Sequence, residues 1–237
     1  MYTIYHNVLS IILCIAIIIV GFYLYYISKI LNSKQLTFVH TRLKNMLSKF
    51  THLLYKYEYQ YFIQGGTLLG CIRDGNIIEH DDDIDLGMME DDIQHMLNNN
   101  KFMDELRRNN LDITLPRMHC YKIRYIKNPN ENDKSTIFLD LFSYSIFESN
   151  VDSNENIIHY TNRVSRMQWP NGWFYVKEFY PLKIGHLDNI PVVIPNQSIE
   201  YFKRHYGEDW ETPKKTHSHG MFLNLDKNCY GECFIFK

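Results

Sequence analysis

The sequence predicts an α+β chain: one long N-terminal helix, then a domain in which short strands and helices alternate. Three observations carry this. Val8 to Ile27 run without a charge. Leu36 to Tyr57 place apolar residues at helical spacing. Asp82 to Leu86, His119 to Ile126 and Thr136 to Phe142 alternate polar and apolar positions, or run apolar, at strand length. The 237 residues carry a net charge of −2, so no global basic field points to a nucleic-acid partner. An aromatic content of 15% argues against disorder.

Taken in order, Val8 to Ile27 (VLSIILCIAIIIVGFYLYYI) has the length of a transmembrane helix, with Tyr23, Tyr25 and Tyr26 at its interfacial end. A cleaved signal peptide fits less well, because no small-residue cleavage site follows. Lys29, Lys34, Arg42 and Lys44 come after the run and none precedes it, which predicts a cytoplasmic domain by the positive-inside rule. Leu36, Val39, Leu43, Met46, Leu47, Phe50, Leu53, Leu54 and Tyr57 form the apolar stripe of an amphipathic helix. The expected organisation is an anchor over 1–31, a linking helix over 32–58 and one folded domain over 59–237.

Within that domain, Tyr61 to Gln64 reads as a strand broken by Gly65-Gly66, and Thr67 to Arg73 as a helix. Asp82 to Leu86 is a strand. Glu90 to about Arg108 is helical, and His119 to Ile126 and Thr136 to Phe142 are strands. Pro129 to Lys134 and Val151 to Asn156 are polar loops, the second flanked by Tyr144 to Glu148 and Ile157 to Tyr160 as a hairpin. Ile184 to Leu187 and Ile190 to Ile194 form another hairpin, turned at Asp188-Asn189. Asn196 or Ser198 caps a helix from Ile199 to His205, which Gly207 stops.

The chemistry concentrates in Gln64 to Met88, QGGTLLGCIRDGNIIEHDDDIDLGM. On a strand, Asp83 and Asp85 project to one face while Ile84 and Leu86 enter the core. Two carboxylates on a rigid sheet suit a hard divalent cation, Mg²⁺ or Mn²⁺, carrying substrate phosphates. Asp81 and Asp82 read as a solvated acidic turn, although Asp81 shares the parity of the pair. Asp140 stands alone in Phe-Leu-Asp-Leu-Phe, where burial is costly unless it is paired. It reads as a structural ion-pair partner, or as a third carboxylate acting as metal ligand or base. Gly65 and Gly66 let backbone approach a phosphate, and Thr67 starts a helix whose N–H groups favour anions. Arg73, Lys122 and Arg124 are candidate phosphate contacts, with exposed structural roles as the alternative. His80 reads as base, ligand or packing residue. Cys71 and Cys120 read as core thiols. Cys229 and Cys233, spaced C-x3-C, read as a disulfide pair or metal ligands, but no second Cys/His pair has zinc-finger spacing, and His217 and His219 read as a solvated surface.

The run GGTLLGCIRDGNIIEHDDDIDLGM, the later FLDLF and the terminal YPLKIGHLDNIPVVIPNQSIEYFKRHYGEDWETP resemble the LicD/fukutin family of phosphotransferases, over about Tyr59 to Pro213. The resemblance implies a nucleotidyltransferase-like mixed sheet flanked by helices, here preceded by one N-terminal transmembrane helix. It implies Mg²⁺-dependent transfer of a phospho-alcohol, of the phosphocholine or ribitol-phosphate type, from a CDP-activated donor to a glycan hydroxyl with release of CMP. Carried onto this chain, Asp83 and Asp85 hold the metal and Asp140 is the third carboxylate. Gly66 and Thr67 lie by the donor phosphates with Arg73 nearby. His80 departs from the family's aromatic or apolar residue. The resemblance to eukaryotic members places the domain in the Golgi or ER lumen, opposite to the charge rule. A GT-A-like glycosyltransferase and a non-catalytic membrane scaffold are the rival functions.

Overall fold

A computed structural model describes residues 2–114, 119–126, 137–149 and 155–213, with side chains from Cys14 onward except at 16, 30 and 32. The loop expected over Pro129–Lys134, residues 151–154 of the second polar loop, the His217/His219 pair and Cys229/Cys233 lie outside the described residues. The chain divides after Val39, and His40–His219 form one compact unit.

Helix α1 runs continuously from Tyr2 to Lys56. Among the described residues no helix is long and apolar enough to cross a membrane. This overturns the expected transmembrane helix over Val8–Ile27, and with it the single-pass membrane localisation. From His40 on, the amphipathic expectation holds: Leu43, Met46, Leu47, Phe50, Leu53 and Leu54 are all buried. Phe50 meets Phe102 edge to face at 6.5 Å, and Lys56 pairs with Glu105 at 2.6 Å.

The domain is mixed α+β, a sheet flanked by helices. In chain order, β1 (Phe62–Ile63), α2 (Gly65–Arg73), β2 (Ile84–Met89), α3 (Glu90–Asn98) and α4 (Asn100–Arg108) lead to β3 (Leu111–Thr114), β4 (Tyr121–Tyr125) and β5 (Leu139–Glu148). The main path across the sheet is β1-β2-β5-β4-β3. β2 and β5 are parallel, while β1 and β4 join them antiparallel. The far half of β5 pairs with β6 (Asn156–Tyr160), which pairs with β7 (Phe174–Tyr175). Thr136–Phe142 and Tyr144–Glu148 were expected as separate strands. They merge because Ser143 continues the pairing to Met88 without a break.

Several elements have weak sequence signals. The strand β3 and the short helices α5 (Arg163–Gln168) and α6 (Val176–Phe179) were not expected. Each is under seven residues, and α5 is fixed by Asn162, whose side chain accepts from the N–H groups of Val164 and Ser165. The expected long helix to Arg108 is two helices. Asn99 is extended between them and caps the second by accepting from Phe102 N. The β8–β9 hairpin (Lys183–Leu187, Ile190–Ile194) turns at Asp188, which has φ 58°. Helix α7 (Ser198–Tyr206) starts from Gln197 without a side-chain cap. The expected caps are engaged elsewhere: the Ser198 hydroxyl donates to Pro195 O, and the Asn196 amide to Tyr180 O. Gly207, with φ 97°, ends the helix in a conformation that favours glycine.

Candidate functional site

The sheet register assembles the site. Asp85 on β2 lies directly beside Asp140 on β5, and Asp140 lies beside Lys122 on β4. Register partners leave the sheet on the same face, so these three side chains form one row across it. Asp83, two residues before Asp85, joins from the same side. The burial pattern follows the alternation: Asp82, Ile84 and Leu86 are buried, while Asp81, Asp83 and Asp85 are partly accessible. One carboxylate oxygen from each of Asp83, Asp85 and Asp140 lies within 4.8 Å of the others. All donors are hard oxygens, the set that suits Mg²⁺ or Mn²⁺. Together they could hold one divalent cation.

The loop before α2 fixes Asp85. Gln64 N donates to Asp85 O at 3.1 Å, and Asp85 N donates to the Thr67 hydroxyl at 2.8 Å. Thr67, expected by the donor phosphates, is buried with its oxygen on this backbone. Gly65 has φ 57°, and a Cβ there would lie 3.0 Å from Asp85 Oδ2. A Cβ on Gly66 would lie 3.0 Å from Asp81 Oδ2. The double glycine is therefore what lets the start of α2 sit against the aspartates. Gln64 itself is buried, and its Oε1 accepts from the hydroxyls of Tyr144 at 3.2 Å and Tyr160 at 2.9 Å.

Burial holds the Asp85 carboxyl well above the usual carboxylate range, and repulsion from Asp83, Asp140 and Asp81 adds to the shift, with Lys122 opposing it. Lys122 Nζ lies 2.7 Å from Asp140 Oδ1 and 3.4 Å from the centre of the Phe138 ring. Asp140 is thus at once an ion-pair partner and a member of the cluster. The other expected cations are placed differently. Arg73 makes a two-pronged bond to its neighbour Asp74, at 2.8 and 2.7 Å. Arg124 is exposed, two residues along β4 from Lys122 and in register with Asp112. His80 is not among the clustered ligands; its charge bears on Asp74 instead.

Three features beside the row were not expected. Asp82 is buried rather than part of a solvated turn, because it shares the parity of Ile84 and Leu86. Cys120 is buried as expected, but its surroundings are not purely apolar. Burial pushes its thiol up, and the adjoining Asp140 pushes it further. His119 stacks on Phe142 at 6.1 Å and meets Trp169 edge-on at 5.7 Å. Burial lowers its proton affinity, against the pull of Asp140. The alternation that put Cys120 and Lys122 on one face was the available signal for Cys120. Nothing local marked Gln64, whose partners lie 80 and 96 residues away.

Residues 58–197 match the model of the LicD/FKTN/FKRP nucleotidyltransferase domain. An uncharacterized protein of Rickettsia prowazekii is 34% identical over 168 residues, which cover 70% of this chain and 54% of that protein. A Rickettsia typhi protein is 33% identical over 187 residues, covering 76% and 52%. The human ribitol-5-phosphate transferase FKTN is 24% identical over 174 residues, covering 73% and 34%. The chain spans about half the length of the rickettsial relatives and a third of the human one.

Proposed function

The chain belongs to the LicD/FKTN/FKRP family, and on that premise we propose that it is a metal-dependent phosphotransferase moving a phospho-alcohol from a CDP-activated donor to a glycan hydroxyl. The observation that carries the reading is the register of Asp85 with Asp140, which together with Asp83 brings three carboxylates within 4.8 Å. Relatedness to fukutin, a ribitol-5-phosphate transferase, supports a transferase of this general kind.

In this reading Asp83, Asp85 and Asp140 hold Mg²⁺ or Mn²⁺. Such an ion, when bound, neutralises charge that builds up on the leaving phosphate. The chain's own residues do the rest. The acceptor hydroxyl oxygen forms a bond to the phosphorus that carries the alcohol. The bond from that phosphorus to the bridging oxygen breaks, CMP leaves with the electron pair, and a carboxylate of the cluster takes the hydroxyl proton. The positive end of the α2 dipole, at Gly65 and Gly66, and the ammonium of Lys122 offer complementary charge to the donor phosphates. Gln64 and Thr67 keep Asp85 in place throughout.

The test is a donor screen by mass spectrometry. The protein is incubated with CDP-choline, CDP-ribitol and UDP- and GDP-sugars, with a glycan acceptor and Mg²⁺. The expected result is CMP together with a phosphodiester product from one CDP donor, both lost in Asp83→Asn and Asp85→Asn. Sugar transfer from a UDP- or GDP-donor replaces the proposal with a glycosyltransferase. Turnover that survives both substitutions rejects the assignment of the site.

A further inference from the structure

Lys122 occupies a position at odds with a simple role as phosphate contact. Its ammonium lies 2.7 Å from Asp140 Oδ1, one of the three carboxylates that together could hold a cation. An ammonium this close competes with a metal ion for the same carboxylate, and a second cation in the same small volume is repelled. The two groups differ in freedom. The Asp140 side chain is 12% exposed on the rigid β5, whereas that of Lys122 is 39% exposed on a flexible four-carbon stem. The lysine therefore has the greater freedom to move. The face of Phe138, 3.4 Å from Nζ, gives the ammonium a second partner at rest. Asp85, next to Asp140 in the sheet, feels Lys122 as a charge opposing its carboxylate neighbours.

We propose that Lys122 is an exchangeable counter-ion of Asp140. It neutralises that carboxylate while the cluster holds no divalent cation, releases it when a cation binds, and carries its charge to the donor's phosphate. This rests on the metal-dependent reading above and adds a positioning residue to it. Cation and nucleotide binding then become linked through one side chain, because the cation frees the ammonium that the phosphate uses.

Calorimetric titration of the full chain with MnCl₂ alone, and then with CDP in saturating Mn²⁺, tests this. Lys122→Met keeps the aliphatic stem and removes the charge, and Lys122→Gln serves if that variant does not fold. The expected result is about tenfold tighter Mn²⁺ binding than in the wild type, equivalent to about 1.4 kcal/mol, together with weaker CDP binding. In an Asp140→Asn background the same lysine change should leave Mn²⁺ affinity unchanged. Equal or weaker Mn²⁺ binding in Lys122→Met overturns the exchange. So does a gain that persists with Asp140→Asn, since that marks a general field effect. Unchanged CDP affinity overturns the transfer to phosphate. If Asp85→Asn abolishes Mn²⁺ binding while Lys122→Met leaves it untouched, the exchange falls and the metal site stands. If no protein in the series binds Mn²⁺, both fall.

Discussion

Replacing Asp85 with Asn should stabilise the cation-free protein and remove its response to divalent cations. Three carboxylates within 4.8 Å of one another repel. At that separation and an effective dielectric near 20, one pair of full charges costs about 3.5 kcal/mol. Lys122 offsets part of this, and so does the raised proton affinity of Asp85. A net gain of about 1–2 kcal/mol for the neutral isostere is the reasonable remainder. For a chain of this size that is a rise in Tm of about 2–8 °C. The Asn side chain keeps the shape, and the backbone bonds from Gln64 N and to Thr67 do not involve the carboxylate.

The pH dependence follows from the same shift. The folded Asp85 holds its proton above the unfolded pKa of about 3.9. Between the two values the native state binds more protons, so wild-type stability falls as pH rises through that window. Above the folded value the whole penalty is present. Asp85→Asn should lack this falling limb. Calorimetry on the full chain in EDTA, from pH 4 to 8, reads both effects. Adding Mg²⁺ at about 100 times its Kd should then stabilise the wild type by about 2.7 kcal/mol and the variant by much less. A variant no more stable than wild type in EDTA, or one that gains equally from Mg²⁺, is incompatible with carboxylate repulsion at Asp85 that a bound cation relieves.

Further outcomes follow from other parts of the domain. Gly65→Ala forces a left-handed residue at φ 57° and sets a methyl 3.0 Å from Asp85 Oδ2. It should cost about 1–2 kcal/mol in urea unfolding and also lower Mn²⁺ affinity. Arg204 pairs with the buried Glu178 at 2.8 Å and covers the Trp173 ring at 3.8 Å. Arg204→Met should therefore cost about 3–5 kcal/mol by leaving a buried charge, and a second change, Glu178→Leu, should recover part of it in thermal melts. Burial lowers His159 and His205 to about 4. Their contribution is fully present above the unfolded pKa of about 6.5 and is lost as pH falls toward 4, by about 3 kcal/mol each. Urea midpoints should drop across that range, opposite in sign to the Asp85 effect, and His205→Asn should flatten the profile.

The aspartate strand and the parity of Asp83 and Asp85 were legible because a two-residue period is local, and the apolar partners Ile84 and Leu86 declare which face is inside. Asp140 was legible as an anomaly, a charge in an apolar strand. That it stands beside Asp85 was not, because nothing within either strand specifies parallel pairing between segments more than fifty residues apart. The same holds for Lys122. Its charge suggested a phosphate, and only the antiparallel pairing of β4 with β5 shows that it faces a carboxylate first. Asp82 reads in sequence as part of an acidic turn, and its burial follows from the parity it shares with Ile84 and Leu86; Cys120 is the buried thiol its apolar neighbours suggest, and only the pairing of β4 with β5 adds Asp140 to its surroundings. The apolar run at the N-terminus signals hydrophobicity strongly, but composition does not decide what a helix is packed in.

The double glycine shows how far a sequence signal can be carried. Gly65 and Gly66 suggested close approach to a phosphate, yet the groups they approach in the fold are the carboxylates of Asp85 and Asp81. The glycines are already required by the protein itself, so they are not independent evidence for a nucleotide. Their placement matters for another reason. It sets the positive end of the α2 dipole against the cluster, and such an end is worth about 0.3–1 kcal/mol to a nearby anion. That dipole and Lys122 are the compensation identified beside Asp83, Asp85 and Asp140, against repulsions of about 3.5 kcal/mol per fully charged pair. Burial, reinforced by repulsion from Asp83, Asp140 and Asp81, holds the Asp85 carboxyl well above the usual carboxylate range, with Lys122 opposing. A fold that buries the Asp85 backbone, inserts two glycines and aligns two parallel strands to keep such a cluster together maintains a local electrostatic cost. A divalent cation would relieve that cost, and this connects the metal-dependent reading to the stability predicted for Asp85→Asn.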